Sequence, residues 1–314
     1  HVHADFVSGA RELARRTGAS IHASVEGGAT YGFPVVPLRD GDVLAVGGVR
    51  LRALHTPGHT PEHMAFLVSQ RGQPERAWGL LTGDFLFAGS VGRPDLMGME
   101  NTDRLARKLW ESLQTAFADL PDALPIYPAH GPGSPCGAGI TEREGQPTLG
   151  TERASNPALQ FDRREAFIDD LLFRQPPVPT YWPRMKRINA RGPEVLGGVP
   201  EPEPLAPEAF AQMIAAPDVQ LLDTRSMLAF GGGHLAGALN IGHAPSVSMW
   251  GGWLLDPERP IALVIPPGAQ ATEATAWLMR VGLTRVPAVL DGGLKAWTMS
   301  GRPFVTLPQM SVHT

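Results

Sequence analysis

The sequence predicts an α/β protein built as two domains, and three observations carry that reading. At 314 residues the chain exceeds what one hydrophobic core usually serves. Strand-like and helix-like patterns alternate along it, first up to about residue 175 and again after residue 206. Between the two runs prolines crowd together, from Pro176-Pro177-Val178-Pro179 to Pro200-Glu201-Pro202-Glu203-Pro204, as in a semi-rigid connector.

Taken in order, Val7 to Arg16 suit a short helix of Ala, Leu and Arg that Gly18 ends. Val43 to Leu54 reads as two strands around Gly47-Gly48, with alternation through Val49, Leu51 and Ala53. Further strands fit Ala65–Ser69 and Ala77–Thr82. Leu105, Leu109, Leu113 and Phe117 make one helical stripe, with Asn101 or Thr102 placed to cap it. Ile126-Tyr127-Pro128 is a short strand running into His130. Past the connector come strands Val219–Leu222, Ile261–Ile265 and Ala288–Leu290, with a helix over Ala271–Val281.

Composition excludes several classes. Basic and acidic residues nearly balance, 27 against 31, which leaves no electrostatic footprint for nucleic acid or an anionic membrane. No apolar run approaches the ~20 residues that span a bilayer, and no signal segment is present. The single cysteine, Cys136, cannot form an internal disulfide, so a reducing cytoplasm is the expected compartment. The opening on His1 and the closing run from Leu307 to Thr314 read as the ends of a fragment of a longer protein.

Four separated segments point to a metal. They are His1-Val2-His3-Ala4-Asp5, His55-Thr56-Pro57-Gly58-His59-Thr60, Thr82-Gly83-Asp84 and Tyr127-Pro128-Ala129-His130. Residues two apart in an extended segment face one way, so His1, His3 and Asp5 can share a site. Imidazoles and carboxylates are the usual donors for zinc or iron.

These segments resemble the metallo-β-lactamase superfamily, over about residues 1–175. The resemblance implies a four-layer αββα sandwich, with the metals at one edge of the sheets. Strands that normally precede the first motif are missing, so the first sheet is expected to be incomplete, and pairing in a homo-oligomer is among the expectations. Phe6 stands where the family has the last histidine of that motif. Only Asp5 and His130 then remain of the second metal position, as a residual set, and one metal is expected. Phe6 is also expected to dry the site or simply to pack.

The remainder resembles the persulfide dioxygenases of the dioxygenase–rhodanese fusion type. That likeness implies one Fe(II) per chain, held by His1, His59 and Asp84, with zinc as the alternative. His3 is a further ligand or a hydrogen-bonding partner, and His55 a structural residue. Three residues stand as catalytic candidates: Cys136, Arg93 and Tyr127. Arg93, in Val91-Gly92-Arg93-Pro94-Asp95, either orients an anionic thiol or pairs with Asp95. Cys136 matches a cysteine that lies near the iron, and either carries sulfane sulfur or only packs.

Leu222-Asp223-Thr224-Arg225, Gly233-His234-Leu235-Ala236-Gly237-Ala238 and Asp291-Gly292-Gly293-Leu294-Lys295-Ala296-Trp297 resemble rhodanese framework motifs. The nucleophile loop of an active rhodanese is replaced by Ile265-Pro266-Pro267-Gly268-Ala269-Gln270-Ala271, which has neither a thiol nor a cation. Sulfurtransfer in this domain is therefore excluded on chemical grounds.

The expected layout is a dioxygenase domain at 1–175, a connector at 176–206, a rhodanese-like domain at 207–306 and, at 307–314, the start of a linker. The expected activity is oxidation of a low-molecular-weight thiol persulfide by O2 to sulfite and free thiol. A glyoxalase II-type zinc thioester hydrolase and a non-catalytic scaffold are the rivals.

Overall fold

A computed structural model describes residues 1–142 and 145–308; the rest of the closing segment, 309–314, lies outside the described residues. The chain divides into two compact units. The first comprises His1–Ala4, Leu13–Val178 and Lys186–Gly192, and the second Asp5–Glu12, Pro179–Met185 and Pro193–Thr314. The division cuts the first histidine motif between Ala4 and Asp5. Among the described residues, no helix is long and apolar enough to cross a membrane.

The opening helix α1 spans Ala10–Thr17 and ends at Gly18, whose φ is +73°. In the first unit, β1 (His22–Ser24) and β2 (Val36–Leu38) pair in parallel. A five-stranded sheet follows, from β3 (Val43–Val46), β4 (Val49–His55), β5 (Met64–Gln70) and β6 (Gln73–Gly83) to β9 (Ile126–Pro128). Strands β3 to β6 are antiparallel neighbours, and β9 joins β6 in parallel. A small hairpin, β7 (Leu86–Phe87) with β8 (Ser90–Val91), lies between β6 and β9 in the chain.

Alternation along the strands sends side chains to opposite faces. Ala65, Leu80 and Ile126 enter the larger core together with Leu109, and Leu105 is buried as well. These leucines come from α2 (Met99–Thr115), and Phe167, Ile168 and Leu171 come from α4 (Arg164–Arg174) after the short α3 (Leu149–Ser155). Met64 and Phe66 turn the other way, toward Leu38 and Ala53. Helix α2 starts earlier than its apolar stripe implied. Gly98 is its N-cap, and Asn101 and Thr102 instead donate back to the carbonyls of Met97 and Gly98, at 3.0 and 3.1 Å. The polar first turn carries no periodicity to announce it.

The proline-rich stretch is more than a connector. It holds α5 (Trp182–Arg191), with Trp182 and Met185 fully buried, and β10 (Glu203–Leu205). Pro183 sits in the first turn of α5, where no amide hydrogen is needed. Pro204 lies in a strand at the sheet edge, while the flanking Glu203 N–H and Leu205 carbonyl make the ladder bonds.

The second unit continues with α6 (Pro207–Ile214), β11 (Gln220–Asp223), α7 (Met227–Gly232), β12 (Leu239–Asn240), α8 (Val247–Leu254), β13 (Ile261–Val264), α9 (Ala271–Met279), β14 (Ala288–Leu290) and α10 (Gly293–Met299). Its sheet runs β10-β14-β13-β11-β12, every pair parallel. Phe210, Leu221, Val264, Leu290 and Trp297 form its core.

Candidate metal centre

Strands β4, β6 and β9 end at the same side of the first sheet, because His55 pairs with Met64, Phe66 with Leu81, and Gly83 with Pro128. The loop from β4 carries His59, the residue after β6 is Asp84, and His130 follows β9. Gly58, at φ +153°, lets the His59 loop lie on α2: a Cβ there would stand 2.5 Å from Leu109 Cα.

The His1–His3 segment belongs to no strand. Side chains hold it instead. Glu62 Oε1 accepts the Val2 N–H at 2.9 Å, Lys186 Nζ donates to the Val2 carbonyl at 3.4 Å, and Asn189 Nδ2 donates to the His3 carbonyl at 3.0 Å. Burial lowers the Lys186 ammonium's pKa, and the Glu62 carboxylate opposes that.

Asp84 is the hub. Its Oδ2 lies 3.6 Å from His1 Nε2, 3.4 Å from His59 Nε2 and 3.2 Å from His130 Nε2. The ligand atoms of His1, His3 and Asp84 all fall within 4.8 Å of one another, as do those of Asp84, His130 and Cys136. Burial raises the Asp84 carboxyl, but the facing imidazoles of His1, His130 and His59 outweigh it and hold the group well below the usual carboxylate range. His59 is driven down to about 3, chiefly by burial, with Asp84 opposing. Its Nδ1–H donates to the Arg93 carbonyl at 2.9 Å, which leaves the Nε2 lone pair turned toward Asp84.

These residues fit a metal. The fully buried Asp84 carboxylate has no hydrogen bond of normal geometry to either oxygen, and imidazole nitrogens face it. Two histidines and a carboxylate are a donor set that iron and zinc both take.

His63 belongs to the centre although the motif pattern did not single it out. It is fully buried, and burial first, then His1 and His59, lowers its pKa well below 6.5. Its Nε2 accepts the Asp84 N–H at 3.0 Å, so Nδ1 carries the proton and donates to Thr56 Oγ1 at 2.8 Å. Its ring stacks on His1, centroids 4.8 Å apart. Gly83, at φ +56°, makes room, since a Cβ there would stand 2.7 Å from His63 Nε2. A second histidine four residues after His59 was the available signal.

Not every candidate arrives. His130 faces Asp84 and Cys136. Phe6 is 37% exposed, too open to act as a drying plug. Its chemical consequence stands, because a phenyl ring is no donor. Arg93 is 1% exposed and forks onto Asp95 at 2.6 and 2.7 Å while donating to the carbonyls of Pro135 and Pro176. Of its two readings the structure shows the ion pair, and no guanidinium is presented to a substrate. Tyr127 is 39% exposed, and its ring lies over Gly79, a packing contact. His55 Nε2 meets the Pro61 carbonyl at 2.9 Å, a structural role.

In the second unit the Ile265–Ala271 loop joins β13 to α9 beside a cavity of about 1290 Å3. Asp223 and Arg225, both buried, form an ion pair at 2.5 Å, and the guanidinium also donates to the Gly233 carbonyl. Both serve structure.

Acid should unfold the metal-free protein in a defined way. His59 and His63 refuse protons in the fold that the unfolded chain binds below about 6.5, so stability falls as the pH drops from 6.5 toward 3. His59 contributes about 1.4 kcal/mol per pH unit across the window, and His63 acts in the same direction. Urea denaturation of chelator-treated protein at a series of pH values measures the slope.

Family models match the chain twice: Metallo-beta-lactamase superfamily over residues 1–130 and Rhodanese-like domain over residues 206–300. A hydroxyacylglutathione hydrolase of Rhodopseudomonas palustris (strain BisB18) is 32% identical over 218 residues, 68% of this chain and 76% of that protein. The crystal structure of a metallo-beta-lactamase from Staphylococcus aureus subsp. aureus COL shares 32% identity, covers 93% of this chain and 82% of its own, and has a TM-score of 0.78. That of ETHE1 from Myxococcus xanthus shares 27% identity over 63% of this chain and 75% of its own, with a TM-score of 0.49. With its fold, its histidine–aspartate centre, the two family matches and the Rhodopseudomonas relative, the chain belongs to the metallo-β-lactamase superfamily and carries a rhodanese-like domain.

Proposed function

We propose that this protein is a persulfide dioxygenase, which converts a low-molecular-weight persulfide, O2 and water to free thiol, sulfite and two protons. The observation that carries the reading is a two-histidine, one-carboxylate centre with the thiol of Cys136 within 4.8 Å of its carboxylate, where Phe6 supplies no further donor. Electrons lost by the persulfide sulfurs are taken up by O2. Fe(II) held by His1, His59 and Asp84 would supply open coordination positions for sulfur and dioxygen. The chain's own residues do the rest. Arg93 fixes the His59 ring through its carbonyl, and His63 fixes Asp84 through its peptide; Cys136, near the Asp84 carboxylate, would accept sulfane sulfur as a persulfide.

A second reading is favoured by the Rhodopseudomonas relative, whose name denotes hydrolysis of a glutathione thioester. Two zincs and a metal-activated hydroxide would serve that reaction. Metal analysis of the full chain, with parallel assays on glutathione persulfide and a glutathione thioester, separates the two. One iron with sulfite release supports the dioxygenase, and two tightly held zincs with thioester cleavage overturn it. If Cys136 relays sulfur, Cys136→Ser lowers turnover or shifts the sulfite-to-thiol ratio at constant iron. Unchanged O2 consumption and sulfite release would leave it a packing residue.

A further inference from the structure

The cavity of the second unit lies where parallel strands end. Thr224, Ile265 and Asp291, the residues that follow β11, β13 and β14, all line it. That edge is where open parallel sheets bind ligands. Ile241, Ile265 and Leu294 give it apolar walls, joined by Trp250 and Leu254, which stand one turn apart on α8. The two α8 side chains are 48% and 54% exposed, so large apolar surface is left to water along the cavity. The loop from Ile265 to Ala271 is a stiff wall rather than an anion cradle. Ala269 N–H donates to the Pro266 carbonyl at 3.1 Å with Gly268 at φ +79°, a type II turn led by Pro267. Its prolines bring no N–H, Ile265 no thiol and Gln270 no charge, so a small sulfur anion finds few donors there. Most polar groups of the lining are already engaged. Arg225 is closed onto Asp223, and His243 is held between Thr224 Oγ1 at 3.1 Å and Glu273 Oε2 at 3.3 Å. Lys295 is different: it is exposed, and its ammonium has no ion-pair partner among the described residues.

We propose that this cavity binds an apolar molecule bearing one anionic group, of the chemical class of a medium-chain carboxylate. The chain lies on Trp250, Leu254 and Ile265, and the carboxylate meets Lys295. Apolar walls with a few polar groups are what a small-molecule site needs. The Asp291 carboxylate, in the same lining, repels a second negative charge and so limits the ligand to one. Binding makes and breaks no covalent bond. The rhodanese-like unit is then a ligand-binding module, and this site stands independently of the metal centre and of the reaction proposed there.

The test is isothermal titration of the full chain with octanoate, decanoate and dodecanoate, each below its micelle-forming concentration. One site per chain is expected, with affinity rising about fourfold per added methylene, as burial of the chain requires. Trp250→Ala should weaken decanoate by about tenfold, and Leu254→Ala, a smaller change on the same helix face, by less. Lys295→Glu should weaken decanoate by about fivefold and tighten decylamine, with the thermal melting curve left in place. Affinity that is flat across the three chain lengths, or wild-type affinity in Trp250→Ala and Leu254→Ala, would overturn the proposal. So would a Lys295→Glu protein that binds decanoate and decylamine as the wild type does. Thiosulfate displacing decanoate at equal concentration would show a sulfur-anion site instead, and overturn it as well.

Discussion

Asp84→Ala and His59→Ala are each expected to remove the metal from purified protein and to abolish turnover. Losing a residue that merely orients a ligand costs about 10- to 100-fold in metal affinity, so losing a ligand should exceed about 100-fold. Asp84→Ala is expected to be the more severe change, because Oδ2 is the atom on which His1, His59 and His130 converge. Without it three imidazoles face one another with no anion between them. His63→Leu makes a graded comparison: it leaves every donor present but strands the Asp84 N–H, and should fall in the 10- to 100-fold range. Competition with a calibrated chelator gives the three affinities. Wild-type affinity in Asp84→Ala would place the metal elsewhere.

Asp223→Ala should unfold the rhodanese-like unit by about 3–5 kcal/mol, the usual consequence of breaking a buried ion pair from one side. The carboxylate accepts the Arg225 backbone N–H at 2.9 Å and its Nε and Nη2 as well, at no solvent exposure. Removing it leaves a guanidinium buried with only the Gly233 and Ala229 carbonyls. Paired replacement of both residues by apolar side chains should recover much of the loss, because it is the stranded charge that is costly. Chemical denaturation of the single and double variants measures this, and equal losses would refute it.

Much of this was legible in the sequence. The strands were visible because alternating apolar residues face two cores, and the candidate donors His59, Asp84 and His130 because they follow the ends of β4, β6 and β9. What stayed hidden was non-local. Lys186 and Asn189 reach the His1–His3 segment across separations of 184 and 186 residues, which no periodicity reports. Prolines misdirected the reading of residues 176–206, since Pro183 and Pro204 sit at positions where a helix start and an edge strand tolerate them. Arg93 was ambiguous because only packing shows whether a guanidinium is presented or enclosed.

The tethering of Val2 and His3 by Lys186 and Asn189 also sets an order of assembly. During synthesis the histidine segment is made before two of the side chains that fasten it, Lys186 and Asn189, which follow the whole five-stranded sheet and α4. Until α5 is made, the segment of His1 and His3 lacks these two tethers. Closure of the centre is thus a late, long-range event, of the kind that slows folding. A nascent chain halted before α5 should have a formed sheet and an unfastened metal centre.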